Sequence, residues 1–373
     1  MPLVVLPARL LAPEAAGAPA VAAVVDPGYV GPDVCAECHA ERVADVRKTS
    51  HFRTSGIVDA RTLVAPVAPT MVAEAAGLHL ELAARGDERW QQAVDDLRDE
   101  RMSRRMDVVI GSGKLAQTFL SWDGDRLYEL PATWFAQGGW RYSPGYMSDR
   151  VDFARPVPGQ CLECHALWAQ PGRPELVRDN AFVGTIQWGV TCEKCHGPGR
   201  EHVAWQRAHP KADHGEKIIV PSDLPRERRD DLCLLCHSQR GEEKQPVFSF
   251  RPGDVLRDHY AAPTTGAAGA APVALHSFDQ GDRLAESRCF RASGTMSCIT
   301  CHNPHRLERG DDDGFSVRCR VCHDVDKLSR TNPAAEHSGN TVCVGCHMPK
   351  RRTEAGVEMR DHRIAVYADG VRK

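Results

Sequence analysis

Hydrophobic and polar positions follow two different patterns along the chain. Between residues 70 and 150, several short runs alternate with a period of two, which is typical of a strand with one buried face. The clearest runs are Leu78–Leu82, Asp107–Ile110, Thr118–Trp122 and Arg126–Leu130. Asp123 and Gly124 separate the last two runs and are a strong hairpin signal. We therefore predict a small antiparallel β insertion over residues 70–150.

From Cys161 onward the alternation gives way to short helix-like segments joined by loops. Gly and Pro are frequent in the chain, with 31 and 25 residues among 373. This texture predicts a mainly α fold with low regular secondary structure, interrupted only by the β insertion.

One short pattern, Cys-x-x-Cys-His, occurs seven times. The copies are Cys35–His39, Cys161–His165, Cys192–His196, Cys233–His237, Cys298–His302, Cys319–His323 and Cys343–His347, numbered here as motifs one to seven. The pattern is the signature of c-type haem, whose vinyl carbons bond to the two thiols while the imidazole binds the iron. Zinc knuckles, thioredoxin-like sites and disulfide frameworks need no histidine after each pair. We therefore predict seven covalent haems.

The motifs assign two sets of residues directly. The thioether cysteines are Cys35, Cys38, Cys161, Cys164, Cys192, Cys195, Cys233, Cys236, Cys298, Cys301, Cys319, Cys322, Cys343 and Cys346. The proximal iron ligands are His39, His165, His196, His237, His302, His323 and His347.

Ten further histidines could supply the sixth iron ligands. We expect seven of them in this role: His51, His202, His259, His276, His305, His337 and His362. Pro304 ends the helix of motif five and directs His305 toward a neighbouring haem. The other three are expected on a strand or in loops, namely His79, His209 and His214.

The composition changes the expected kind of core. Only 6 % of residues are aromatic and the mean hydropathy is −0.40. Six motifs share residues 161–347, roughly 31 residues each, which is little chain for a side-chain core. We therefore expect a multihaem cytochrome c fold organised by haem packing. The expected segments are a tail or export signal at 1–27, a first haem-binding segment at 28–69, the β insertion, a six-haem region at 151–366 and a tail at 367–373.

Charge and hydropathy narrow the partners and the compartment. The net charge is −3, and the basic runs Arg101–Arg105 and Lys350–Arg352 are short, so no nucleic-acid partner is expected. No apolar run reaches 18 residues, so nothing is expected to span a membrane. Because c-type haem is attached outside the cytoplasmic membrane, we expect a periplasmic or extracellular protein. Met1–Ala23 resembles a weak or truncated export signal, apolar and ending in small residues but without a basic start.

Cys289 belongs to no pair. A free cysteine is usually a small buried hydrophobe, and this is the default interpretation. An iron ligand, a redox-reactive thiol and a link to another chain stay open.

Several runs resemble multihaem cytochromes c, closest in pattern to the cytochrome domain often fused to tetratricopeptide repeats. These runs are Gly31–His51, Cys192–His202, Ser297–His305, Cys343–Lys350 and Asp361–Ile364. The group is related in style to the small tetrahaem cytochromes of ammonia oxidisers, to hydroxylamine oxidoreductase and to pentahaem nitrite reductase. The resemblance covers roughly residues 28–366. It implies bis-histidine ligation, parallel and perpendicular haem pairs, and distal roles for His305 and His362.

Departures from the family's enzymes shape the expected function. The chain has no Cys-x-x-Cys-Lys motif, no tyrosine that can be placed as a haem cross-link, and no tetratricopeptide repeat. We therefore expect an electron carrier with no catalytic residues, served by other cytochromes or a membrane quinol-linked complex. The alternative is an oxidoreductase of small nitrogen or sulfur compounds at one haem with an open sixth position. A structural or sensory haem protein is a third hypothesis, and the oligomeric state is left open.

Overall fold

The computed structural model describes residues 24–67, 70–75, 78–96, 98–146, 153–173, 176, 179–263, 279–331, 342–353 and 356–367. The helices are α1 (Pro32–Val46), α2 (Gly159–His165), α3 (Cys192–His196), α4 (Arg200–Ala208), α5 (Arg226–His237), α6 (Leu256–His259), α7 (Gln280–Ala285), α8 (Arg288–Ala292), α9 (Cys298–Cys301), α10 (Asp312–Arg320), α11 (Val325–Thr331) and α12 (Cys343–His347). Two of the predicted sixth ligands, His276 and His337, and the predicted export signal at Met1–Ala23 lie outside the described residues.

The strands begin in the first segment and continue almost to the end of the chain. They are β1 (Ser55–Ile57), β2 (Thr70–Ala75), β3 (Leu78–Arg85), β4 (Glu88–Asp95), β5 (Glu100–Arg105), β6 (Val108–Ile110), β7 (Ala116–Asp123), β8 (Arg126–Glu129), β9 (Ala132–Phe135), β10 (Gly139–Tyr142), β11 (Arg155–Pro156), β12 (Ala166–Pro171), β13 (Phe182–Trp188), β14 (Lys350–Arg352) and β15 (Glu358–Arg360). Within the described residues they form four sheets.

The prediction of a mainly α fold is wrong. Of the residues that the structure describes, 30 % are helical and 25 % are in strands. The motif helices contribute little helix because a Cys-x-x-Cys-His pattern needs only about one turn, as in the five-residue α3 and α12. Strands also occur where alternation is weak. In β13, for example, buried Phe182 and Ile186 are separated by three residues, the last two of them exposed.

The largest sheet has seven strands and is antiparallel. Its main order is β1-β6-β7-β8-β11, while β9 pairs with both β7 and β10. The predicted hairpin at Asp123 and Gly124 is confirmed, since Asp123 pairs with Arg126 across the turn from β7 to β8. The sheet also takes in β1 and β11, which lie outside residues 70–150. A second sheet, in the order β2-β3-β4-β5, lies wholly inside that range.

Two side-chain cores pack on these strands. One surrounds Phe119 and Leu80, which are 0 % and 1 % exposed. The other joins Leu127 of β8 to Leu162 of α2 and Phe182 of β13. The second core therefore connects the sheet to the helix of motif two and fixes where that motif lies.

The later motif helices have a smaller apolar core. Its buried members are Leu235, Phe250, Leu256 and Tyr260. No helix in the described part of the chain combines the length and apolar character needed to cross a membrane.

Candidate haem sites

Most of the Cys-x-x-Cys-His motifs occupy about one turn of helix, whereas in motif six α10 ends at Arg320, before Cys322 and His323. Motif three forms α3, motif seven forms α12, and motifs two and four end α2 and α5. Residues three and four apart lie on one face of a helix, so both sulfurs and the imidazole can address one porphyrin. In α1 the backbone leaves helical geometry at His39, with φ −116° and ψ 40°.

Several candidate iron ligands are held through Nδ1 by a backbone carbonyl. His196 Nδ1 donates to Ile219 at 2.8 Å and His347 Nδ1 donates to Ala365 at 2.9 Å. His202 and His362 donate in the same way to Glu216 and Arg360, at 2.7 and 3.1 Å. A carbonyl only accepts, so the proton is on Nδ1 and Nε2 is left with a lone pair for a metal.

Three histidine pairs stand at nearly the same separation. The ring centroids of His51 and His237 lie 5.9 Å apart, and those of His196 and His305 lie 6.0 Å apart. The third pair, His302 and His362, has a separation of 6.1 Å. Each pair joins a motif histidine to a histidine predicted as a sixth ligand. These are the histidine–histidine ring contacts found among the described residues.

The separation fits one iron between two imidazoles. Metal–imidazole nitrogen bonds are about 2 Å long, so two imidazoles on opposite sides of one metal have centroids about 6 Å apart once the ring depth is added. Aromatic pairs also occur at such distances. An ordinary aromatic pair, however, gives no reason for a motif histidine to face a non-motif histidine three times.

Two of the paired imidazoles have lowered pKa values. Burial lowers the pKa of His51 and of His362 to about 4. At neutral pH these rings are uncharged, which is the form that binds a metal.

The described residues contain no group of three or more His, Cys, Asp or Glu side chains placed to hold a bare metal ion. A bis-imidazole haem does not need such a group, because the porphyrin supplies four ligands and the protein supplies two. The paired histidines and the adjoining cysteines therefore fit haem.

Thiols from different motifs meet in pairs. Cys35 contacts Cys192, and Cys164 contacts Cys236, in both cases as hydrogen-bond neighbours. The same contact joins Cys233 to Cys298 and Cys319 to Cys343. These contacts bring together motifs one and three, two and four, four and five, and six and seven.

Buried carboxylates connect three of these motif pairs, and the sequence reasoning missed them. Glu193, inside motif three, accepts from the backbone N–H groups of Val30 and Gly31 at 2.9 Å, just before motif one. Asp230, just before motif four, accepts from the N–H of Cys298 at 2.9 Å. Glu163 lies inside motif two and pairs with Arg240 beyond motif four.

These three carboxylates are 2 %, 6 % and 1 % exposed, respectively. A buried carboxylate is costly unless it receives hydrogen bonds, so each one fixes the segment that donates to it. An acidic residue inside or just before a haem motif was the sequence signal for these contacts. It was missed because the x positions of the motif were interpreted as spacers without a role.

The other candidate ligands in the described residues, His202, His259 and Cys289, have different surroundings. His259 has partners at both nitrogens, with Ser249 Oγ 2.9 Å from Nδ1 and an Asp254 carboxylate oxygen 3.3 Å from Nε2. His202 has the Nδ1 contact described above, without a ring contact to a motif histidine among the described residues. Cys289 is partly buried and acts electrostatically on Cys301 and Cys319.

One known family matches the chain. Residues 147–197, which include motifs two and three, match the family described as "Cytochrome c554 and c-prime". No curated protein and no solved structure matches the chain. The match supports a c-type cytochrome with covalently bound haem and a role in electron transfer, and residues 147–197 are where this similarity lies.

Proposed function

We propose that this chain is an electron carrier that binds seven c-type haems, one at each Cys-x-x-Cys-His motif. The observation that carries the proposal is the set of three histidine pairs with centroids 5.9 to 6.1 Å apart. When bound, each haem carries one electron through the ferric and ferrous states of its iron. The chain's own residues hold the ligands, and burial favours their uncharged form.

The pairing of ligands supports bis-histidine haems shared between distant segments. His51 follows motif one yet faces His237 of motif four. His305 follows motif five yet faces His196 of motif three. His362, near the end of the chain, faces His302 of motif five. Each of these irons would therefore be ligated across two segments.

The thiol contacts support an order for the haems. Motif one contacts three and motif four contacts five, while Cys233 of motif four acts electrostatically on Cys195 of motif three. Cys322 of motif six acts electrostatically on Cys301 of motif five, and motif six contacts motif seven. Motif two adjoins four. In this order electrons would travel along one-three-four-five-six-seven, with the second haem branching from the fourth.

Inter-motif disulfides are a rival explanation for the same thiol contacts. All fifteen cysteines are free in the structure. A disulfide framework would give no role to the histidine after each cysteine pair, nor to the His–His separations. Haem attachment explains the cysteines and the histidines together.

The oxidoreductase of small nitrogen or sulfur compounds is a second candidate, favoured by His259. Both its ring nitrogens have partners, so of seven candidate sixth ligands six are left for seven irons. One haem would then have an open sixth position or a ligand of another type. An open iron could bind a small substrate.

The test is expression in a host that attaches c-type haem, followed by mass spectrometry and electronic spectroscopy. We expect a red protein with seven covalent haems. Substituting His51→Ala, His305→Ala or His362→Ala should each convert one haem from low spin to high spin. His214→Ala is the matched control and should change no haem, since His214 is exposed and pairs with Asp213.

A colourless folded product with free thiols would overturn the proposal. A high-spin haem in the unsubstituted protein, able to bind cyanide, would favour the oxidoreductase over the carrier.

Location and partners follow from the same proposal. Haem attachment outside the cytoplasmic membrane would place the protein in the periplasm or beyond the cell, with redox proteins as its partners. Fractionation of the native host, with detection of the haem-bearing chain, tests this placement.

A further inference from the structure

Between motifs two and four lies a cluster of three buried polar side chains, Glu163, Arg240 and Tyr260. Glu163 is 1 % exposed and Tyr260 is 5 % exposed. The Arg240 side chain is 15 % exposed. The three come from the motif-two helix, from the chain just after motif four and from the residue that follows α6. Holding three polar groups inside the protein requires that they satisfy one another.

The carboxylate of Glu163 is the centre of the cluster. Its Oε1 accepts from the backbone N–H of Phe248 at 2.7 Å. Its Oε2 accepts from Arg240 Nη1 at 2.5 Å and from the hydroxyl of Tyr260. The Arg240 guanidinium also lies over the Tyr260 ring, 4.2 Å from its centroid. Both oxygens of the Glu163 carboxylate therefore have hydrogen-bond donors.

The cluster reaches the haem attachment itself. Arg240 Nη2 lies 3.5 Å from the sulfur of Cys164. That sulfur in turn contacts Cys236 of motif four. A charge in contact with an attachment sulfur acts on the nearby iron, because an added electron is stabilised by positive charge and opposed by negative charge.

We propose that Glu163, Arg240 and Tyr260 are positioning residues that hold the second and fourth haem sites together and set the reduction potential at the second. This inference rests on the proposed function. Glu163 and Arg240 carry opposite charges that nearly cancel, so the potential depends on both being present. The same ion pair ties α2 to the chain after α5.

Charge-removing variants test this role through the sign of the effect. Glu163→Gln leaves Arg240 uncompensated and should raise the potential of one haem. Arg240→Gln leaves Glu163 uncompensated and should lower it. The expected change in the oxidised-to-reduced ratio is about tenfold in each direction, which is about 59 mV for a one-electron couple. A purely structural role gives no reason for opposite signs.

The double variant Glu163→Gln/Arg240→Gln removes both charges. The oxidised-to-reduced ratio of the haem in this variant should return to within about twofold of its value in the unsubstituted protein. Tyr260→Phe keeps both charges and removes one hydrogen bond to the carboxylate, which is the mildest change. It should lower the reduction potential slightly, which changes the oxidised-to-reduced ratio of the haem by about two- to threefold. This variant keeps the test available if a single charge variant fails to fold.

The matched control is Asp179→Asn, which breaks a buried ion pair with Arg173 in the loop between β12 and β13. It should leave every potential unchanged. The measurement is a redox titration followed by visible absorption, after mass spectrometry has counted the haems.

Shifts of the same sign in Glu163→Gln and Arg240→Gln, or no shift in Tyr260→Phe, would overturn the inference. Failure of the underlying function would appear differently, as an unsubstituted protein without covalent haem.

Discussion

The sheet region and the later motif region keep their structure by different means. The core of the sheet around Phe119 has nine buried members. The apolar core around the later motif helices has four. In its place the later motif region has buried carboxylates such as Asp230 and Asp361, which hold segments through directed hydrogen bonds.

This difference has a physical reason. Apolar burial is non-directional, and it suffices to stabilise a sheet whose geometry the backbone hydrogen bonds between its strands already fix. A haem site needs its sulfurs and imidazoles at fixed places, and directed hydrogen bonds fix places better than apolar contact does. The sheet is therefore expected to be stable without haem, and the motif region to depend on it.

The largest expected effect comes from withholding haem. In a host without the attachment machinery, α5 and α7–α12 should lose hydrogen-exchange protection by at least about 100-fold, while β6–β8 keep theirs. Hydrogen exchange with mass spectrometry, against the haem-loaded protein, measures this. Equal loss in both regions would break the comparison.

The next effect comes from the sheet core. Phe119→Ala empties a position that is 0 % exposed and should cost about 3 to 5 kcal/mol of unfolding free energy. The visible spectrum of the haems should not change, because Phe119 packs in the sheet. Denaturant unfolding followed by circular dichroism measures the cost. Met102→Ala, at a side chain 48 % exposed, is the control and should stay within about 0.5 kcal/mol.

A pH effect is expected in the sheet region at Glu129 of β8. Burial raises its pKa from 4.5 to about 7, against the opposing effect of Arg155, whose Nε is 3.2 Å from the carboxylate. Between these values the folded state binds the proton and the unfolded state releases it, so stability should fall as pH rises from about 4.5 to about 7.

The fall is about 3 kcal/mol at most, from the size of the pKa change. Glu129→Gln should remove this fall in unfolding free energy. Denaturation midpoints of both proteins at pH 5 and pH 8 measure it. An unchanged pH dependence in Glu129→Gln would contradict this assignment.

The smallest expected effect is at the surface. Arg207 of α4 pairs with Glu37 of α1 at 2.8 Å, with both side chains more than half exposed. Arg207→Ala should cost no more than about 0.5 kcal/mol. Asp230→Asn, at a buried carboxylate, should cost about 1 to 3 kcal/mol and loosen Cys298. Similar costs at both sites would remove the distinction between buried and exposed polar contacts.

Local patterns were predictable because they depend on neighbours in sequence. The alternation at Thr118–Trp122 and Arg126–Leu130 predicted strands, and the structure places β7 and β8 there. The fold class was not predictable in this way. Helix-like motif turns suggested a mainly α protein, whereas strands such as β12 and β13 are decided by packing on the second core and lack a clear period.

The sequence by itself determined the seven Cys-x-x-Cys-His motifs, because two thiols and an imidazole within one helical turn are set by local geometry. Tertiary structure alone decided that His305 faces His196 and that His51 faces His237. It also decided that Glu163 meets Arg240. Such pairings depend on how distant segments pack, and the spacing of residues along the chain does not predict that packing.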